Sequence, residues 1–195
     1  MISPLEAAAV LFGIASVFLS ARQNVWNWPL GIINVALYII IFYRTELYAN
    51  MGLQVVYVVL AAYGWWHWLH GGANHGMLRV SRVSKREAAL LAIGFVVGTI
   101  AISTLLARTT GAALPVADSA LTAASLVAQY MMTRKYVECW LVWIVADVAY
   151  VAMFIYTSLW LTAGLYLVFC ALAVVGWRQW RASLREQSAP GRAFA

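Results

Sequence analysis

Apolar residues fall in seven runs separated by polar connections: Pro4 to Ala21, Trp28 to Tyr43, Leu47 to Leu69, Glu87 to Ala107, Pro115 to Thr133, Cys139 to Tyr156 and Leu159 to Trp180. Each approaches the ~20 residues with which a helix crosses a bilayer, so the pattern predicts an all-α integral membrane protein with seven transmembrane helices. In and just before the sixth run, Tyr136, Trp140, Trp143, Asp147, Tyr150 and Phe154 recur at helical spacing and share one face. That face is an aromatic stripe interrupted by a carboxylate. Asp147 lies roughly seven residues past the interfacial Trp140, about 10 Å at 1.5 Å per residue, close to the midplane. A charge at that depth costs at least ~2.5 kcal/mol unless it meets a polar cavity, a partner or a cation. The plainer alternative is a carboxylate protonated or hydrogen-bonded between helices to fix their packing.

Other runs carry polar stripes of their own. The second has Asn27, Gly31, Asn34 and Tyr38 on one face; the third has Gln54 and Tyr57 in line with Ala61 and Gly64; the fifth has Thr122, Ser125 and Gln129. A buried amide in lipid needs a hydrogen-bond partner, which a neighbouring helix or a ligand can supply. For Asn34, Gln54 and Gln129 taken singly, both roles stand open. Their joint occurrence around one expected cavity favours binding.

Sliding the chain on itself by 112 residues places Arg22 on Arg134, Trp28 on Trp140, Tyr38 on Tyr150, Leu47 on Leu159, Gly52 on Gly164, Gly64 on Gly176, Trp65 on Trp177 and Trp68 on Trp180. The matches run through three spans without a gap, which indicates an internal duplication. Because one span separates the triplets, both enter the membrane in the same direction, so the expected repeat is parallel, about an axis along the membrane normal. Asn34 falls on Ala146, beside Asp147, and Gln54 on Tyr166 of the seventh run. Unlike polar groups at similar depth suit an asymmetric ligand held between the halves. The expected divisions are 1–70 for the first three-helix repeat, 71–108 for a cytoplasmic loop and linking helix, 109–181 for the second repeat, and 182–195 for a mobile cytoplasmic tail.

Composition agrees with this class, since 64% of residues are hydrophobic and only 10% are charged. No basic residues precede the first run, and no small-residue cleavage site followed by a soluble domain comes after it, so it is expected to be a retained helix and not a signal peptide. The net charge of +6 sits beside the spans, where it sets topology and meets anionic lipid; it does not point to nucleic acid. Arg22, Arg79, Arg82, Lys85, Arg86, Arg134, Lys135, Arg178, Arg181, Arg185 and Arg192 fall on one side and only Arg44 and Arg108 on the other. The positive-inside rule then puts the N-terminus outside and the C-terminus in the cytoplasm. Cys139 and Cys170 both lie in apolar runs and are expected as free, buried thiols with no metal cluster. His67 and His70 end a helix among tryptophans, where an interfacial role outweighs metal binding. Glu138 beside Arg134 and Lys135 is expected to form a surface ion pair, and Asp118 to cap the fifth helix. No GxxxxGK[ST], HExxH or GxSxG motif is present, so neither catalytic residues nor a cofactor are expected.

Trp26-Asn-Trp-Pro-Leu-Gly-Ile-Ile-Asn-Val-Ala-Leu-Tyr38, Glu46-Leu-Tyr-Ala, Gln54, Tyr63-Gly-Trp-Trp and Thr133-Arg-Lys-Tyr-Val-Glu-Cys-Trp-Leu-Val-Trp143 resemble the PnuC family of vitamin transporters over nearly the whole chain. The resemblance implies a three-plus-one-plus-three helix fold related to the SWEET sugar carriers, assembled as a homotrimer in the inner membrane of a bacterial cell. It also implies uptake of a vitamin by facilitated diffusion, with a cytoplasmic kinase trapping the substrate. Nicotinamide riboside carriers of the family resemble this chain at Asn34, Gln54, Trp140 and Trp143, and carry Asn where it has Cys139 and Asp147. An acidic residue at the latter position resembles the thiamine- and riboflavin-type branches. The expected substrate-binding set is Asn34, Tyr38, Gln54, Tyr57, Gln129, Trp140, Trp143, Asp147, Tyr150 and Tyr166. Its tryptophans or Tyr150 would stack on a cationic ring and Asp147 would balance the charge. Nicotinamide riboside is the expected substrate, followed by thiamine and then riboflavin. A membrane sensor that binds the ligand without moving it is the alternative from another class.

Overall fold

The computed structural model of the chain describes residues 3–46, 48–109 and 115–188. Seven long helices follow one another: α1 (Pro4–Ala21), α2 (Asn27–Arg44), α3 (Tyr48–His70), α4 (Lys85–Thr109), α5 (Pro115–Thr133), α6 (Cys139–Tyr156) and α7 (Trp160–Ser188). By length and composition α1, α2, α4, α6 and α7 are apolar enough to cross a membrane. Of the other two, α3 carries Asn50, Gln54, His67 and His70, and α5 carries Asp118, Ser119, Thr122, Ser125, Gln129 and Thr133. Neighbours in sequence pack together, apart from α3 and α4, and the ring closes through α3 on α5 and α1 on α7. Helix α4 packs against α5 and turns Leu90, Ile93, Val96, Val97 and Ile100 outward.

The duplication extends to backbone hydrogen bonds. At the end of α1, Gln23 adopts φ 57° and donates to Ser20 O while Asn24 donates to Leu19 O; at the end of α5, Lys135 adopts φ 55° and donates to Met132 O while Tyr136 donates to Met131 O. Both are Schellman closures, in which a left-handed residue lets two N–H groups reach back to orphan carbonyls. Glu46 and Ser158, again at positive φ, close α2 and α6 in the same way, through Tyr43 O and Ile155 O. Thr45 and Thr157 each fold a hydroxyl back onto the carbonyl four residues earlier.

Three expectations are corrected. The seventh helix does not end near Trp180 but continues to Ser188, held by Gln23 Nε2 donating to Ser183 Oγ at 2.7 Å and by Arg181 over the Trp177 ring; residues 189–195 lie outside the described residues. Among the described residues Glu138 forms no surface ion pair: its Oε2 accepts from Val83 N–H at 3.0 Å, and Arg134 instead approaches Glu87 at 4.0 Å. Of the two thiols, Cys139 is buried but Cys170 is only partly so. Leu47, the expected start of the third span, lies outside the described residues.

Candidate functional site

A cavity of about 430 Å³ runs between the two three-helix sets, within the range of small-molecule sites. It is lined by Asn34, Tyr38, Gln54, Tyr57, Gln129, Trp140, Trp143, Asp147 and Tyr166, nine of the ten residues expected from sequence. Tyr150 does not line it. Its ring packs instead on Tyr166 at 4.8 Å and on Phe154 at 5.9 Å, so it buttresses the wall from behind.

Helix α6 supplies the charge. Asp147 is 4% exposed, and among the described residues no group hydrogen-bonds its carboxylate and no Lys, Arg or His lines the cavity. The packing role left open by sequence therefore has no partner here. One turn earlier, Trp143 presents partly open surface to the same space, whereas Trp140 is 1% exposed and lies edge-on to Trp180 at 5.4 Å. Trp143 thus offers ring surface to the cavity, with Trp140 at its floor. Of the two departures from the nicotinamide riboside pattern, only Asp147 reaches the cavity; Cys139 is fully buried away from it.

The amides divide as well. Asn34 Nδ2 donates to Ala9 O at 2.7 Å, which ties α2 to α1, and a side chain at Gly13 would come within 3.0 Å of that nitrogen. Its oxygen remains for a ligand. Gln54 and Gln129 make no hydrogen bond among the described residues, so their amides are available to the cavity. The two sides differ in kind: Gly31, Val35 and Val17 in the first half stand where Trp143, Asp147 and Gln129 stand in the second. At these three positions the second half is aromatic or polar and the first small or aliphatic, so the lining is asymmetric although both halves also contribute amides and tyrosines.

The floor is a quartet of tryptophans. Trp28 and Trp140 line the cavity, with Trp68 and Trp180 packed edge-on to them at 5.3 and 5.4 Å. Trp68 and Trp180 also meet each other at 5.8 Å. Trp68 Nε1 donates to Met132 O at 3.0 Å, and Trp180 Nε1 to Ser20 O at 3.1 Å, so each half bonds the other through repeat-equivalent atoms. Gly64 and Gly176 receive the Trp28 and Trp140 rings at distances that leave no room for a Cβ. Meanwhile Trp28 Nε1 and Trp140 Nε1 are buried without a hydrogen-bond partner among the described residues. Each orphan donor costs about 1–3 kcal/mol, and each crossed bond contributes about 0.5–1.5 kcal/mol. The hydrogen bonding of the closed floor is therefore unfavourable on its own, and the burial of four indole rings offsets it.

Sequence reasoning left out Trp28, Ser16 and Phe169 from the lining. The signal for Trp28 was present, because it is the repeat partner of Trp140. Nothing in the sequence singled out Ser16, whose hydroxyl donates to Asn27 O at 2.8 Å.

Comparison with known proteins supports a carrier. The family model for nicotinamide mononucleotide transporters matches residues 3–182. The chain is 28% identical to the nicotinamide riboside transporter PnuC of Escherichia coli, over 95% of this chain and 88% of that one. It is 26% identical to the riboflavin/roseoflavin transporter RibM of Streptomyces davaonensis, over 92% and 85% of the two chains. The crystal structure of the vitamin B3 transporter PnuC superposes with a TM-score of 0.71 at 26% identity, covering 93% of this chain and 82% of that one. With this helical frame and a cavity between its halves, the chain belongs to the nicotinamide mononucleotide transporter family and is a PnuC-type vitamin transporter of the membrane.

Proposed function

We propose that this protein is an inner-membrane uptake carrier for a cationic B-vitamin precursor, nicotinamide riboside first and thiamine second. The observation that carries the reading is Asp147, a buried carboxylate facing the cavity without a partner among the described residues. Keeping such a group charged in an apolar bundle calls for a cation, and both vitamins carry a fixed positive charge on an aromatic ring. Trp143 would stack on that ring, while Gln54, Gln129 and the Asn34 oxygen would bond the ligand's polar groups. The nicotinamide riboside relative, 28% identical, supports the first choice. The riboflavin/roseoflavin relative favours a second reading, in which Asp147 accepts hydrogen bonds from ribityl hydroxyls.

The remaining parts of the reading rest on the repeat and the family resemblance. Three helices, one linker and three helices would run as parallel halves, with the N-terminus outside and the basic α1–α2 and α5–α6 turns in the cytoplasm. Alternating access would come from one half rocking against the other, downhill, with a cytoplasmic kinase trapping the product and three copies forming the assembly. The test is purified protein in sealed liposomes with labelled nicotinamide riboside inside and out. Equilibration across the membrane is expected; binding without equilibration would make the protein a sensor instead.

A further inference from the structure

The two seams that join the halves at the tryptophan floor are fastened very unequally. Across α3 and α5, Trp68 Nε1 bonds Met132 O, and the connection after α3 is strapped over the α5–α6 turn. Leu78 N–H donates to Trp68 O at 2.9 Å, Ser81 N–H to Lys135 O at 3.1 Å, and Val137 N–H to Ser81 O at 3.0 Å. Lys135, 3% exposed, donates from Nζ to Leu78 O at 2.8 Å and lies 4.4 Å over the Trp68 ring. Val83 N–H reaches Glu138, and Tyr136 Oη donates to Glu87 Oε1 at 2.6 Å. Across α1 and α7, the repeat-equivalent seam, the hydrogen bonds among the described residues are Trp180 to Ser20 O and Gln23 Nε2 to Ser183 Oγ.

A carrier must open its floor, and opening it must separate at least one of these seams. We propose that the four tryptophans are the gate at the end of the cavity bearing the α1–α2 and α5–α6 turns, and that this gate opens along the α1–α7 seam while the strapped α3–α5 seam acts as the hinge. The strap ties α3, the linker and the α5–α6 turn into one body through backbone bonds that cannot be exchanged by side-chain rotation. The opposite seam needs only Trp180 to leave Ser20 O and Gln23 to leave Ser183. Its opening would uncover the two orphan indole N–H groups to water or ligand, which helps offset the bonds lost. Exit of the ligand would then run between α1 and α7. This gate assignment rests on the carrier reading above.

Paired cysteines test it, in protein whose Cys139 and Cys170 are replaced by Ala. Gln23→Cys with Ser183→Cys, joined by a short bis-methanethiosulfonate cross-linker because a Gln side chain spans that contact, bridges the α1–α7 seam, and Ser81→Cys with Tyr136→Cys, joined by the same reagent, bridges the strap. In proteoliposomes, cross-linking of the first pair is expected to lower uptake at least tenfold, reversibly with reductant, while cross-linking of the second leaves uptake within twofold of its reduced form. Any other pattern overturns the proposal. Spin labels on the same two pairs give a readout that needs no transport: loss of dipolar broadening in a fraction of molecules at 23/183 alone is expected, and retention at both pairs overturns the gate. Titration of the reduced proteins separates the two readings, because a chain that binds no vitamin fails the carrier reading, whereas one that moves vitamin equally fast with the 23–183 cross-link closed fails the gate.

Discussion

The two halves repeat their helix-end geometry and divide the cavity lining between them. Helix ends, left-handed residues, threonine caps, tryptophan–glycine contacts and crossed indole bonds all recur at the same offset. What differs is the set of side chains turned to the cavity and to the turns. The second half supplies Trp143, Asp147, Gln129 and Tyr166 where the first supplies Gly31, Val35, Val17 and Gln54. At the turns, Gln23 meets one serine, whereas Lys135 is buried under a strap. Duplication thus gives a frame that can close symmetrically. Divergence on that frame gives an oriented site and, by the proposal above, a hinge on one side.

The largest effect is expected where the halves are alike. Gly64→Ala and Gly176→Ala each force a methyl into an indole ring, an overpacking that costs about 1–3 kcal/mol, and thermal scans should show comparable losses of Tm. A neutral result at one position would break the equivalence of the two floor contacts. Next comes a place where they differ: Trp143→Ala should weaken vitamin binding more than tenfold by titration, and wild-type affinity in a folded variant would remove Trp143 from the site. The last effect is confined to alkaline pH and concerns Lys135. Burial pushes its ammonium down to about 8, even with the Leu78 carbonyl and the Trp68 face beside it. The folded protein then releases this proton before the unfolded chain does, at about 10.4. Stability should therefore rise, relative to Lys135→Met, as pH climbs from about 8 to about 10. Parallel stability curves for the two proteins would show that Lys135 titrates normally.

Much of this frame was legible because membrane helices announce themselves as long apolar runs and because the repeat needed no gap. Trp28, Trp68 and Trp180 were visible as repeat partners, yet their role as a floor depends on which side chains meet between helices. Tyr150 shows the limit of a helical stripe: it shares the face of Trp143 and Asp147, but packing on Tyr166 keeps it out of the lining. Trp140 shows another, since Gly176 lets it sink against α7. The strap was not legible at all. Its bonds join Leu78, Ser81 and Val83 to residues 135–138, and no local pattern marks a pairing over such a separation. Lys135 and Gln23 at positive φ were equally hidden, because glycine is the usual sign of such a closure.

The central claim is that an unpaired carboxylate in an otherwise uncharged cavity selects a cationic vitamin. Titration of the purified protein and of Asp147→Asn with nicotinamide riboside, thiamine and riboflavin tests it most directly. Nicotinamide riboside is expected to bind the wild type tightly, and Asp147→Asn to lose at least tenfold in that affinity. Riboflavin binding the wild type more tightly than either cation, or affinity for nicotinamide riboside unchanged in Asp147→Asn, would contradict it.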